Sequence, residues 1–296
     1  MQLQTRSGLG IAIALLGGLL ISIDIPIIRL AEGNPWVVMF MRGFGLSLVL
    51  GMVLLFARHW TETPDKPFTD RAWVEVGILY GISSILFTIS IFHTSTANLV
   101  FILAFNPMIA ALFAWWFIGE RPGLVTWIAI ILTFTGVAII VGDGLQGGTL
   151  FGDLTSLATA IMLALSLTRT RQSGKDLSLC GCLGGAITAL FALPLAIMHF
   201  EIPAAPLWLL LNVLILVPAS GFTLSLAPRF IPAPQVAIFF LLETILAPIW
   251  IWLIFAEVPT DNTLIGGAIV LVAISGHSLW QVWSDIKKAK PVTSLS

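Results

Sequence analysis

One acid in this 296-residue chain sits where an acid is hardest to explain. Glu243 falls near the centre of an apolar run, residues 234–255. A carboxylate in such surroundings must carry a proton, accept hydrogen bonds or lie beside a cation, because an unpaired charge away from water is costly. A shift of 137 residues carries Asn106 onto Glu243, and Asn106 is central in another apolar run, 97–118. One amide stands two helical turns before each: Asn98 before Asn106, and Gln235 before Glu243. Residues four apart share a helix face, so the spacing predicts two polar stripes, Asn98–Ile102–Asn106 and Gln235–Phe239–Glu243. Such a set suits binding of a proton, a cation or an ammonium-bearing solute. It equally suits a plainer task, bonding neighbouring helices or the backbone freed by Pro107 and Pro248.

Asp24 and Arg42 form a second candidate, at comparable depth in the first two apolar runs. Burying either alone is expensive, so the two are expected to meet as a structural ion pair; the alternative makes Asp24 a proton or cation site. Phe101 and Phe105 share the Asn98 face and suit stacking on an apolar or cationic solute, though phenylalanine is also ordinary filler. Tyr80, the single tyrosine, stands one turn from Ser84, and Ser166 is a further cavity candidate. His59, His93 and His199 lie at run ends, and His277 lies in the last run, which argues against a histidine proton relay. Cys180 and Cys182 supply too few ligands for a structural zinc site. The runs hold no nucleophile–base or histidine–carboxylate constellation. No catalytic residue, metal or cofactor is therefore expected, and the chain does not read as an enzyme.

The scaffold for these groups follows from composition. Only 10% of residues are charged, 58% are hydrophobic, and the mean hydropathy is +1.02. Soluble domains carry about 25% charged residues, so this chain has too few to cover a water-facing surface. The bilayer is its expected partner. A formal charge of −1 offers no basis for nucleic-acid binding. Apolar runs cover residues 9–30, 36–56, 73–92, 97–118 and 124–141, then 150–168, 177–199, 207–226, 234–255 and 264–283. Each is near the roughly 20 residues a spanning helix needs. The expected fold is an all-α membrane protein with ten transmembrane helices. Residues 1–145 form one five-helix repeat, residues 146–285 the second, and residues 286–296 a basic tail. Beyond the amide and acid mates, Ala110 aligns with Ala247, Trp115 with Trp252, Glu120 with Glu257, and Pro122 with Pro259. Five is odd, so the second copy is expected upside down in the membrane. Inverted repeats with a mid-bilayer polar site are a transporter architecture. Twelve of the fourteen Lys and Arg fall on one side if the N-terminus is cytoplasmic, which predicts both termini inside. The eleven tryptophans fall near run ends, as an interfacial belt would.

The residues also resemble a family. The segment NPMIAALFAWWFIGERP, followed by TGVAII, is similar to the EamA repeat of the drug/metabolite transporter superfamily. So is the second copy, LLETILAPIWIWLIFAEVP, although Ala256 stands where that repeat usually has glycine. Gly152-Asp153-Leu154 leading to Arg169, and Arg42 following Pro35, are similar as well. The resemblance implies a ten-helix carrier whose cavity is lined mainly by helices 1, 3, 4, 6, 8 and 9. The function expected is secondary transport of a small organic metabolite across the inner membrane by alternating access, with protons as a possible coupling ion. Export of amino acids or related amines suits the single central acid. A drug or nucleotide-metabolite carrier, or a non-transporting membrane partner subunit, is the alternative.

Overall fold

The structure is a computed structural model that describes residues 2–56, 67–226 and 233–289. Every regular element among them is helical. This is what a backbone surrounded by hydrocarbon requires, since a helix satisfies its own N–H and C=O groups. The chain runs α1 Gln2–Ser22, α2 Asp24–Leu30, α3 Pro35–Phe56, α4 Arg71–His93, α5 Thr96–Leu103 and α6 Asn106–Phe113. It continues through α7 Leu124–Gly147, α8 Leu150–Ser173, α9 Gly181–Met198, α10 Pro206–Leu211, α11 Val217–Leu226, α12 Ala233–Phe255 and α13 Asp261–Ala289. Among the described residues, eight helical stretches are long and apolar enough to cross a membrane, and Pro206–Gly221 and Leu242–Phe255 are shorter apolar stretches. Two helices run past their apolar runs: α7 continues beyond residue 141 to Gly147, and α13 beyond residue 283 to Ala289.

Two long helices are interrupted, each beside a proline. The first breaks at Ile23, between α1 and α2, three residues before Pro26. The second breaks at Ala104 and Phe105, between α5 and α6, just before Pro107. Proline has no N–H to give the carbonyl four residues back, and its ring crowds that carbonyl. Asp24 and Asn106 are the first residues after these breaks. In α10–α11 the backbone widens into a π-helical turn over Asn212–Leu216.

Ion pairs and hydrogen bonds define the two ends of the bundle. At one end Arg29, in the last turn of α2, pairs with Glu257 after α12. Arg29 also reaches the Thr94 carbonyl at 3.4 Å, and Thr260 donates to Asp143 at 2.6 Å. At the opposite end Lys175 pairs with Asp70, Arg169 donates to Glu75 at 2.6 Å, and Arg171 meets Glu120 at 2.9 Å. Helices cross closely where glycines face each other. A Cβ on Gly43 of α3 would stand 2.7 Å from the Gly185 carbonyl oxygen of α9, and one on Gly185 would stand 2.6 Å from that of Gly43. Gly136 of α7 and Gly266 of α13 meet in the same reciprocal way. Trp73 and Trp250 pack between helices. Trp73 is wholly buried in a cluster with Leu54 and Cys180, and Trp250 donates to the Ser22 hydroxyl at 3.2 Å. Both sit at helix–helix contacts, where the indole fills volume between helices.

Candidate functional site

The break before α2 exposes the start of a short helix segment to α3 and to the π-helical turn. Asp24 is the residue it presents. The Arg42 guanidinium of α3 donates from Nη1 to Asp24 Oδ1 at 2.8 Å and from Nη2 to Oδ2 at 3.1 Å. The side chains are only 11% and 8% exposed, so this is a desolvated, two-pronged pair. Asn212, at the start of the π-helical turn and itself fully buried, joins both partners. Its Oδ1 accepts from Arg42 Nη1 at 2.8 Å, and its Nδ2 donates to Asp24 Oδ1 at 2.6 Å. The Arg42 guanidinium also lies 5.5 Å from the centre of the Phe87 ring. The charge centre thus ties the first helix to α3, α4 and the π-helical turn.

Glu243 lies in α12, half-buried, within electrostatic reach of Asp24 and Arg42. Among the described residues no side chain or backbone group hydrogen-bonds its carboxylate. A cavity of about 40 Å³ opens beside Arg42, lined by Leu46, Tyr80, Ser84, Val213 and Val217. Tyr80 lies against α9 where Gly184 leaves room: a Cβ there would be 2.9 Å from the tyrosine ring.

The remaining sequence candidates lie elsewhere. Asn98 and Asn106 do not form one continuous stripe, because the break between α5 and α6 interrupts the four-residue spacing. Asn98 is buried in a separate polar cluster. It donates to Asp153 at 3.1 Å and accepts from Thr263 at 2.6 Å, while Thr94 and Thr149 also donate to Asp153, at 2.5 and 3.0 Å. Asp153, in the first turn of α8, is wholly buried. Its carboxyl oxygens accept from these three donors at the start of the helix. Asn106 donates to the Ala160 carbonyl of α8 at 2.9 Å. Phe101 and Phe105 are buried in the hydrophobic core with Ala160, Val270 and Ile274, and Phe101 covers Gly267 of α13. Ser166 donates to the Leu163 carbonyl of its own helix at 2.8 Å. Phe239 packs against Ala14, and its carbonyl oxygen lies where a Cβ on Gly18 would stand at 2.5 Å. Gln235 lies on α12, and its side chain is outside the described residues.

Sequence reasoning missed Asn212. A signal existed, a lone amide in the run PLWLLLNVLILV. The spacing carried no partner for it, however, because the partners are more than 160 residues away.

A chain whose described regular elements are all helical, with apolar, membrane-length segments and a buried polar centre, has the form of a multi-pass membrane protein. Residues 8–142 match the model of the EamA-like transporter family. A curated relative, the uncharacterized transporter YvbV of Bacillus subtilis (strain 168), is 28% identical over 104 residues. The match spans 35% of this chain and about a third, 33%, of that relative's length. A solved crystal structure of a protein shares the fold, with a TM-score of 0.62 and 15% identity over 92% of this chain and 98% of its own.

Proposed function

We propose that the chain is a secondary transporter, moving a small organic solute across the cytoplasmic membrane by alternating access between two inverted five-helix repeats. The observation that carries this reading is Glu243: a carboxylate in the apolar helix α12 with no hydrogen-bond partner among the described residues, close to a buried Asp24–Arg42–Asn212 centre. A fixed structural acid would be expected to have its partners in place. An acid that exchanges a proton or an ammonium group needs that valence free. The solute class that suits it is an amino acid or related amine, exported in exchange for protons, with Phe239 and Gln235 standing one and two turns before Glu243 in the sequence of α12.

The ten-helix, two-repeat reading has its own support. A shift of 142 carries Arg29 onto Arg171 and Gly43 onto Gly185, and a shift of 137 carries Glu257 back onto Glu120. The pair Arg29–Glu257 at one end is thereby the counterpart of Arg171–Glu120 at the other. The facing glycines Gly43 and Gly185 occupy matching positions. Two of the helices involved are among the expected ten only if Pro206–Gly221 and Leu242–Phe255 belong to full spans. The end bearing Arg169, Arg171 and Lys175 would face the cytoplasm.

The test is solute flux in proteoliposomes, with a panel of amino acids and their amines and an imposed pH gradient. Glu243→Gln should abolish proton-driven accumulation while leaving exchange of internal for external solute. Wild-type pH dependence in a well-folded Glu243→Gln variant sinks the role of this residue.

A further inference from the structure

The Asp24–Arg42 pair does not consume the arginine. A guanidinium has five N–H groups in a fixed planar arrangement. Asp24 and Asn212 take the edge formed by Nη1 and Nη2. The Nε–H and the second Nη2–H lie on the adjacent edge, parallel to each other, and have no partner among the described residues. That edge is a ready fork for two oxygens of one carboxylate.

Three further features lie beside Arg42. Arg42 lines the cavity together with Tyr80 and Ser84. The Tyr80 and Ser84 hydroxyls likewise have no hydrogen-bond partner among the described residues, whereas Ser83, Thr88 and Ser90 of the same helix each donate to a carbonyl one turn back. The cavity volume, about 40 Å³, is roughly three times the 10–15 Å³ that one water requires. It matches a group of three heavy atoms, which is the size of a carboxylate. Asp24 and Asn212 hold the guanidinium in place, Phe87 covers one of its faces, and Leu46, Val213 and Val217 supply apolar walls.

The geometry points to a carboxylate subsite between α3, α4 and the π-helical turn, in which the free edge of Arg42 and the Tyr80 and Ser84 hydroxyls donate to the acid group of the solute. This rests on the reading above that Glu243 takes the solute's positive group. With both poles present the preferred solute is zwitterionic: a simple amine leaves the guanidinium edge unpaired, and a simple acid leaves Glu243 unpaired. Arg42 is then a binding residue as well as half of a clamp, and Asp24 and Asn212 are positioning residues that act through it.

The experiment is calorimetric titration of the full chain in nanodiscs with three matched probes: leucine, isoamylamine, which lacks the carboxylate, and isocaproate, which lacks the ammonium group. Tyr80→Phe and Ser84→Ala remove one hydroxyl each and leave the buried pair intact. Each should weaken leucine and isocaproate about tenfold, the scale of a hydrogen bond to a charged group, and leave isoamylamine within about twofold of wild type. The subsite is overturned if both variants bind the two carboxylates as the wild type does, or if neither carboxylate binds the wild type. The amine tests Glu243 separately. A Glu243→Gln variant that loses isoamylamine but keeps isocaproate supports the ammonium reading. Unchanged amine affinity in that variant overturns the ammonium reading and leaves the carboxylate subsite standing.

Discussion

Asn212 donates to Asp24 Oδ1 at 2.6 Å across 188 residues of sequence, and with its carbonyl oxygen it accepts from the Arg42 that grips the same carboxylate. The amide therefore serves both charges at once, as a buried pair requires for its remaining valences.

The energetics of this triad are measurable. Removing one charge strands the other, at a cost of about 3–5 kcal/mol. Asp24→Asn and Arg42→Gln should each lower the thermal unfolding temperature sharply. The double variant should lose much less than the sum of the two. Asn212→Leu, which keeps the charges and deletes the amide, should fall between wild type and the single charge variants. Additive losses in the double variant would show that the pair contributes no coupling.

Ala256 holds a backbone conformation that suits glycine. Its φ is +54°, and the counterpart residue 137 positions earlier, Gly119, has φ +80°. Both terminate a helix with a left-handed residue, where a Cβ crowds the carbonyl and costs about 1–2 kcal/mol. Ala256→Gly should stabilise the protein by about 1 kcal/mol. Gly119→Ala should destabilise it to a similar degree although no neighbouring atom lies within 4 Å of the added Cβ. Paired melting curves in one detergent check both signs.

The crossing of α3 and α9 leaves no room for a methyl group. On Gly43 it would meet the Ala189 nitrogen at 2.6 Å and the Gly185 oxygen at 2.7 Å, both backbone atoms that cannot rotate away. Gly43→Ala should cost about 1–3 kcal/mol by forcing the helices apart. Gly51, on the same helix with open space around it, provides the control, and Gly51→Ala should be neutral or mildly stabilising.

Asp70 supplies the acid limb of the stability profile. Its carboxyl caps α4 and is held below its ordinary value of 3.8, first by the hydrogen bond from Lys175 and then by the Trp73 backbone N–H. The unfolded chain takes up this proton at the ordinary value. The contribution is therefore complete above that value and lost as the pH falls through the lowered one. Asp70→Asn should flatten the decline in melting temperature below about pH 4, with the two curves running parallel above about pH 5.

Periodicity and composition were enough to determine an all-helical membrane protein, because hydrocarbon leaves a long apolar segment little choice but to satisfy its own backbone. They also placed Asp24 opposite Arg42, since matched depth in adjacent runs and the cost of a lone buried charge leave pairing as the cheap solution. Pro26 and Pro107 follow the interruptions of the first and fourth spans, whereas Pro194 and Pro248 lie inside helices that continue through them. What the sequence left open was decided by contacts between distant segments. Asn98 and Asn106 have the spacing of one helix face, yet the backbone turns between them. One then serves Asp153 and Thr263, and the other serves the Ala160 carbonyl. Phe101 and Phe105 have the spacing of a binding face, and packing against α13 and α8 puts them in the core. Asn212 has no local partner at all, and only the tertiary structure brings it to the charge centre. The division has one physical cause. Solvation of the backbone and of single charges acts on each segment separately, so it is legible residue by residue. The pairing of polar groups depends on which helices meet, at what depth and with which face, and only the packed bundle settles that.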